Sequence, residues 1–475
     1  LKTNILWFRN DLRIADNPAL IAATADSAQC VAIYYWVEEY ENLFPIAPVK
    51  ADLIRRRLCS LDDELKAINI PLIVFSLKKE SNLVDHVETL CEELCADSLY
   101  FNNEYPFYER RRDKSVTVML REKGVKVNRF DDRLIFSPRS IRNLQGDPYR
   151  VFTPFKKKCL DVLSYSPVFP LGTPSPQENF SLDFLANLSQ ISHSVNVCLK
   201  GSIGANSTDV PEDLWSADLA MLNQNIERFI LNDIDDYHKL RDFPREEGTS
   251  KLSPYLAIGM ISSRQLIGKL FEHFGGIHHL TEGANVWFSE IIWREFYQHL
   301  IIDFPRLSRG KPMQEKTIFF PWKGHSHLFD AWARGETGFP IVDAAMKQLL
   351  HTGWMHNRLR MITASFLTKN LQIDWRLGER FFMEHLVDGD FAANNGGWQW
   401  SASTGADASP YFRVFNPVSQ SERFDKETSF ICEWLPELAL LPAKKRHNPC
   451  GEGYIAPIVD LKSSRAETIA LFSQL

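Results

Sequence analysis

Missing from this sequence are excess charge of either sign, long apolar runs and any dense cysteine pattern, and each absence removes a class of function. The 475 residues hold 54 Lys and Arg against 60 Asp and Glu, a net charge of −6. That balance excludes a protein coated for nucleic acid, so contact with a polyanion has to be a local patch. Eight cysteines are scattered. The closest pair, Cys91 and Cys95, has no zinc spacing, so the expectation is a reduced protein without a metal. No apolar run reaches the ~20 residues that cross a bilayer, and the opening LKTNILWF is strand-like rather than a secretion leader. A cytoplasmic protein with no membrane partner is expected. GxGxxG is absent too: the loop after the first apolar run reads RNDLRIADNPAL, without the dinucleotide fingerprint.

What is present is an ordinary globular composition, 44% hydrophobic and 24% charged, in a chain long enough for two or three domains. Over residues 1–130, short β-rich runs (NILWF, VAIYYWV, PLIVF, SLYF, VKVNRF) alternate with stretches of helical length such as 50–68 and 83–95. Alternation of this kind predicts an α/β domain with a parallel, Rossmann-like sheet covered on both faces. Residues 131–210 are rich in Pro, Ser, Gly and Asn and read as an interdomain connector. Helical periods then dominate 211–475, at 215–231, 262–274, 284–302, 341–350, 357–371 and 376–386, so the second domain is expected to be all-α. Nine of the twelve tryptophans fall between Trp287 and Trp434.

Four segments of that second domain carry chemistry. In the segment from Tyr237, Gly248, Thr249, Ser250 and Ser253 stand where a helix can begin; free N–H groups and hydroxyls there suit either an N-cap or a pyrophosphate. In WFSEIIWREFYQHL, helical spacing sets Glu290 among Trp287, Trp293 and Tyr297. A carboxylate buried there needs a partner, for which Arg294 and Arg358 are the candidates; a salt bridge in an aromatic core and a flat-walled pocket for a planar heterocycle both remain open. GWMHNRLRM gathers Asn357, Arg358, Arg360 and Met361 within little more than a turn. Its two guanidinium groups suit either a solvated face or a phosphate clamp. The fourth segment is DGDFAANNGGWQW, residues 388–400. Asp388 and Asp390 fit helix caps better than metal ligands. Gly396 and Gly397 let the backbone approach something flat, with Asn394 and Asn395 offering amides to its edge. Trp398 and Trp400 lie about 200° apart on a helix and can serve different partners.

In order along the chain, WFRNDLRIADNPAL, EGTSKLSPYLAIG, WREFY, TGFPIVDAAM, TGWMHNRLRM, the stretch from Asp388 and PYFRVFNP resemble class I cyclobutane pyrimidine dimer photolyases of the photolyase/cryptochrome family. The resemblance implies an α/β domain that holds an antenna chromophore and a helical domain that holds FAD, active when reduced. It implies light-driven repair of dimers in UV-damaged DNA by a monomer: an electron passes from excited reduced FAD to a dimer flipped out of the helix. By position, Tyr237, Thr249, Ser250 and Ser253 match residues that grip the FAD phosphates and ribityl chain. Arg360, Asp388, Asp390 and Asn394 match those around the isoalloxazine, with Asn394 at flavin N5. Glu290, Trp293, Asn357, Met361 and Trp400 match the dimer pocket, and Arg241, Arg358 and Arg413 match residues near the DNA backbone. Trp322, Trp375 and Trp398 match a relay that carries electrons inward from the surface. Glu109 matches an antenna-contacting acid of folate-binding members, but Tyr108 stands where several of them have asparagine. The antenna is therefore expected to be methenyltetrahydrofolate or a deazaflavin, with a flavin or an empty site as the remaining alternatives. A cryptochrome-type blue-light photoreceptor is the other reading of the chain; it predicts loss of the dimer pocket, whose five residues are all present.

Overall fold

The structure is a computed structural model that describes residues 2–25, 29–39, 45–178, 180, 184, 188 and 209–475. Five strands form one sheet: β1 (Thr3–Phe8), β2 (Gln29–Val37), β3 (Leu72–Leu77), β4 (Ser98–Asn102) and β5 (Lys126–Phe130). All pairs are parallel, in the order β3-β2-β1-β4-β5. Every residue of β1 and β4 is buried, which is why both read as unbroken apolar runs rather than alternating ones. Helices Pro18–Thr24, Pro48–Lys66, Ser81–Glu93 and Phe107–Glu122 make the crossovers. The first is started by Asn17, whose side chain accepts from the Leu20 N–H, with proline at the first turn. Strand order reverses between β1 and β4. In open α/β sheets the crevice at the carboxyl ends of such a pair is where ligands bind.

The helical half is organised by Glu282–Asp303, a 22-residue helix buried on most of its circumference. One apolar core runs without a break from the sheet through this helix to Ala392. A second core lies between Phe329 and Leu438. Ionic bonds tie the halves together: Arg264 donates to Asp16 at 2.9 Å and to Asp132 at 2.7 Å, and Arg13 pairs with Asp132 as well.

Three departures from the sequence expectations have local causes. The helix expected over 357–371 is α-helical only through Asn357–Ser365 and then widens into a π-turn, Phe366–Asn370. A second π-turn, Phe229–Asp233, ends the helix expected over 215–231, which begins at Leu219. The stretch expected as connector contains a helix, Phe152–Tyr165, with Phe152, Phe155, Cys159 and Leu163 buried. Its Phe152 ring stacks on Trp293 at 3.7 Å and 6°. Much of the remaining connector, 179, 181–183, 185–187 and 189–208, lies outside the described residues.

Candidate functional site

At the β1/β4 switch point lies a cavity of about 350 Å³. Its polar floor comes from the loops after the two strands. Asn10 donates to Glu104 at 2.6 Å, Arg112 to Glu104 at 2.8 Å, and Arg9 to Asp113 at 2.5 Å. Burial pushes the Glu104 carboxyl up, but Arg112 and Arg9 outweigh it and hold it at about 2. Glu109 stands in the same cavity with the opposite balance: burial and then Glu104 raise its carboxyl to about 7, and its Oε2 atom is buried without a hydrogen bond. An acid with one unused oxygen in a cavity walled by Trp7, Tyr35 and Trp36 fits a ligand with a flat apolar body and a hydrogen-bonding edge.

A second cluster lies between the Ser253–Ile258 helix, the Asn357–Ser365 helix and the loop before Phe391–Ser401. Asp388 Oδ2 accepts from Ser253 Oγ at 2.6 Å and from Arg360 Nη2 at 2.7 Å, while Arg360 Nε donates to the Met355 carbonyl. The other oxygen, Asp388 Oδ1, is buried with no partner. Ser250 Oγ accepts from the Trp287 indole at 3.2 Å. Tyr237, in the Tyr237–Leu240 turn, is buried against Phe229, and Thr249 is partly exposed. Phe391–Ser401 then starts on Asp390, whose carboxylate accepts from the Ala393 N–H. Asn394 Nδ2 donates to the Glu379 carbonyl at 2.9 Å and Asn395 Nδ2 to the Glu379 carboxylate at 2.8 Å. Burial raises that carboxyl to about 7. The glycine pair behaves unequally: a Cβ on Gly396 would stand 2.1 Å from the Tyr297 ring, whereas one on Gly397 would meet only open space. The orphaned Asp388 oxygen and the open space at Gly397 leave a hydrogen-bond acceptor and room beside it that fit a polar cofactor.

Of the two acids in DGDFAANNGGWQW, Asp388 therefore joins Ser253 and Arg360, and Asp390 does not. Asp390 pairs with Arg133, accepts from Gln298 at 3.2 Å and lines the switch-point cavity. Burial pulls its carboxyl up; Arg133 and Arg294 overcome this and hold it at about 2. Because that is below the usual 3.8, the pair stabilises the fold above pH 3.8 and loses its contribution as pH falls through about 2. A shift of this size is worth about 2 kcal/mol. Asp390→Asn should lower unfolding free energy by at least that near neutrality, with the gap closing between pH 3.8 and 2 in urea titrations.

Glu290 stands on the Glu282–Asp303 helix, about two turns before Gln298. Neither expected partner meets it: Arg294 donates to the carbonyls of Arg133 and Leu256, and Arg358 donates to Asp242 at 2.8 Å. Its partner is Arg241, at 2.5 Å. Burial raises the Glu290 carboxyl and Arg241 opposes the rise. Trp293 is held between Phe152 and Tyr297. Asn357 is exposed, Met361 and Trp400 are partly exposed, and Arg413 is exposed in the segment after the Phe391–Ser401 helix.

Of the three relay candidates one reaches solvent and two are buried. Trp322 is partly exposed, Trp375 is fully buried and Trp398 is 2% exposed. A bridge between Lys323 and Ile373 brings the first two segments side by side. Gly378 brings the third close, since a Cβ there would lie 2.1 Å from the Trp398 ring. Both buried indole N–H groups lack acceptors. Among the described residues no group of His, Cys, Asp and Glu is placed to hold a metal ion, and none of the helices is long and apolar enough to cross a membrane. Sequence reading missed Arg133, Gln298, Glu379, Asp242 and Phe152, because each acts through a residue distant in the chain.

A ligand-sized cavity at a sheet switch point, and a buried polar cluster among helices, define a two-part α/β and helical protein with the makings of a ligand-binding enzyme. Residues 4–177 match the DNA photolyase family and residues 287–474 the FAD binding domain of DNA photolyase. The deoxyribodipyrimidine photo-lyase of Vibrio cholerae is 44% identical over 474 residues, 98% of each chain. A bacterial class III photolyase from Agrobacterium tumefaciens superposes with a TM-score of 0.83 at 32% identity, covering 100% of this chain and 97% of that one. An archaeal photolyase from Sulfolobus tokodaii, solved with two FAD molecules, gives 0.80 at 28% identity, with 100% of both chains covered. The chain belongs to the DNA photolyase family: it is an FAD-binding lyase for the light-driven repair of cyclobutane pyrimidine dimers in DNA.

Proposed function

We propose that the two faces of the Phe391–Ser401 helix divide the work of repair. The Asp388 side holds FAD: Asp388, Arg360 and Ser253 as a preassembled hydrogen-bonded set, with Tyr237, Thr249, Ser250, Asn394 and Asp390 around it. When bound and reduced, FAD supplies the electron that light releases. The other side receives the flipped-out dimer, with Trp293 and Trp400 as walls, Met361 beside them, and Glu290 and Asn357 bonding the pyrimidine edges. Arg358 and Arg413 lie toward the DNA backbone. Arg241 belongs with them, and its bond to Glu290 links backbone contact to the pocket acid. Asp390 stands at the edge of this set, turned through Arg133 and Gln298 toward the switch-point cavity. The observation that carries this reading is the Asp388 carboxylate, with one oxygen committed to Ser253 and Arg360 and the other buried and unused.

Trp322, Trp375 and Trp398 move electrons from the surface inward; indole is readily oxidised, and burial keeps water from the two inner rings. Glu109 and the switch-point cavity take the antenna chromophore, the carboxyl donating to or accepting from its polar edge. We assign the working form to a cytoplasmic monomer, in keeping with the seven unpaired cysteines among the described residues. The test is repair of a thymine-dimer oligonucleotide under near-ultraviolet or blue light with a reductant, by wild type and by Trp322→Phe. Wild type should restore the oligonucleotide. Trp322→Phe should be photoreduced at least about tenfold more slowly, a barrier change near 1.4 kcal/mol, yet repair normally once reduced chemically. Unchanged photoreduction would remove Trp322 from the relay, and no repair by reduced, FAD-loaded wild type would sink the whole reading.

A further inference from the structure

Lys369 takes no part in the mechanism above, yet it is fully buried. It stands in the Phe366–Asn370 π-turn, which continues the helix of Asn357, Arg358, Arg360 and Met361. Its backbone carbonyl is fixed by Thr468 Oγ1 at 2.5 Å. Its ammonium bonds three neutral oxygens: Ser403 Oγ at 2.6 Å, the Arg413 carbonyl at 3.3 Å and the Pro410 carbonyl at 3.4 Å. Burial, and then the nearby Arg413 guanidinium, push its pKa down to about 7. An apolar side chain of the same length would fill this space without any ionic cost, so the charge needs a reason beyond packing.

All three acceptors lie on one segment. Residues 403–413 leave the end of the Phe391–Ser401 helix without regular secondary structure. The start of the segment is held by the Thr404 and Gly405 N–H groups, which donate to the Gln399 carbonyl, and by Gln314, which donates to the Thr404 and Gly405 carbonyls, while Asp407 accepts from the Phe152 N–H. Its later part has fewer bonds of its own: Ser403 Oγ donates to the Ser409 carbonyl at 2.5 Å, the Ser409 N–H to the Trp400 carbonyl at 3.2 Å, and the Arg413 N–H to the Pro410 carbonyl at 2.9 Å. Lys369 ties the start of the segment to its end, beneath the turn from which Phe412 and Arg413 are exposed. We infer that Lys369 is a positioning residue for DNA binding: from inside the protein it pins the turn that presents Arg413 to a backbone phosphate. The inference rests on the reading of Arg413 as a phosphate contact.

The experiment measures binding of full-length, FAD-loaded protein to a dimer-containing duplex across a salt series, for Lys369→Met, Arg413→Ala and the double variant. Losing one phosphate contact lowers the slope of log affinity against log salt by about 1. Arg413→Ala should show that loss with about tenfold weaker binding. Lys369→Met should show the same although residue 369 cannot reach DNA, and the double variant should be no worse than either. A lysine that only stabilises the fold would lower the melting temperature and leave the slope at the wild-type value. That result beside a reduced slope in Arg413→Ala, or two losses that multiply, overturns the inference and leaves the Arg413 reading standing. An unchanged slope in Arg413→Ala overturns both. Should Lys369→Met fail to fold, Ser403→Ala removes the nearest acceptor and keeps the lysine. Its slope should fall, and a wild-type slope there also overturns the inference.

Discussion

Asp388→Ala should yield folded protein almost free of flavin. The side chain is 2% exposed and pairs with Arg360 at 2.7 Å. Removing it leaves the Arg360 guanidinium with only the Met355 carbonyl as partner. Breaking a buried pair from one side costs about 3–5 kcal/mol. Arg360 keeps some solvent, its side chain being 26% exposed, so the lower end applies. Loss of the bond to the free oxygen Oδ1 adds roughly 1.5–3 kcal/mol, as for other hydrogen bonds to charged groups. Together these weaken FAD binding by at least about a hundredfold. The flavin-to-protein absorbance ratio after purification reads this directly. Asp388→Asn, which keeps the shape and one acceptor, should retain part of the flavin. Full flavin occupancy in the alanine variant would place the cofactor elsewhere.

Glu290→Ala should leave flavin bound and lower repair at limiting substrate by about tenfold to a hundredfold. That range corresponds to one or two hydrogen bonds from pyrimidine N–H groups to a carboxylate, each worth about 1.5 kcal/mol or more. A second effect identifies the cause. Arg241 would lose its partner at 2.5 Å and become free to meet phosphate. Binding to undamaged duplex should therefore hold steady or strengthen, with a steeper salt dependence, while preference for the lesion collapses. Glu290→Gln should fall between the two. Unaltered lesion preference in the alanine variant would exclude Glu290 from the pocket, and loss of flavin would place it with the cofactor.

Local pattern made much of this molecule legible. Strands β1, β2 and β4 stood out because parallel strands buried on both faces leave unbroken apolar runs, as in VAIYYWV. Helices such as Ser263–Phe274 and Trp375–His385 stood out because one face of each is apolar at a 3.6 period, and Glu282–Asp303 because its apolar residues run on for helical length. Departures came where backbone and pattern part company. A π-turn such as Phe366–Asn370 adds a residue to the turn without altering composition, so the helix seemed to run on. Pairing was harder still. Glu290 meets Arg241 rather than a neighbour on its own helix, and Asp390 meets Arg133 across 257 positions. Spacing says that a buried acid needs a cation but is silent on which one arrives. The grouping of Ser253, Arg360 and Asp388 came from ordered motifs and not from chemistry legible at any one of them.

The ring sandwich of Phe152 on Trp293 has a practical consequence for anyone dividing the chain. Phe152 is further anchored by its N–H, which donates to Asp407 at 3.1 Å. A fragment starting at residue 211 would keep the indole and discard its brace. Grafts that exchange sheet halves between relatives should therefore be spliced ahead of Phe152, so that this short helix travels with the half it supports.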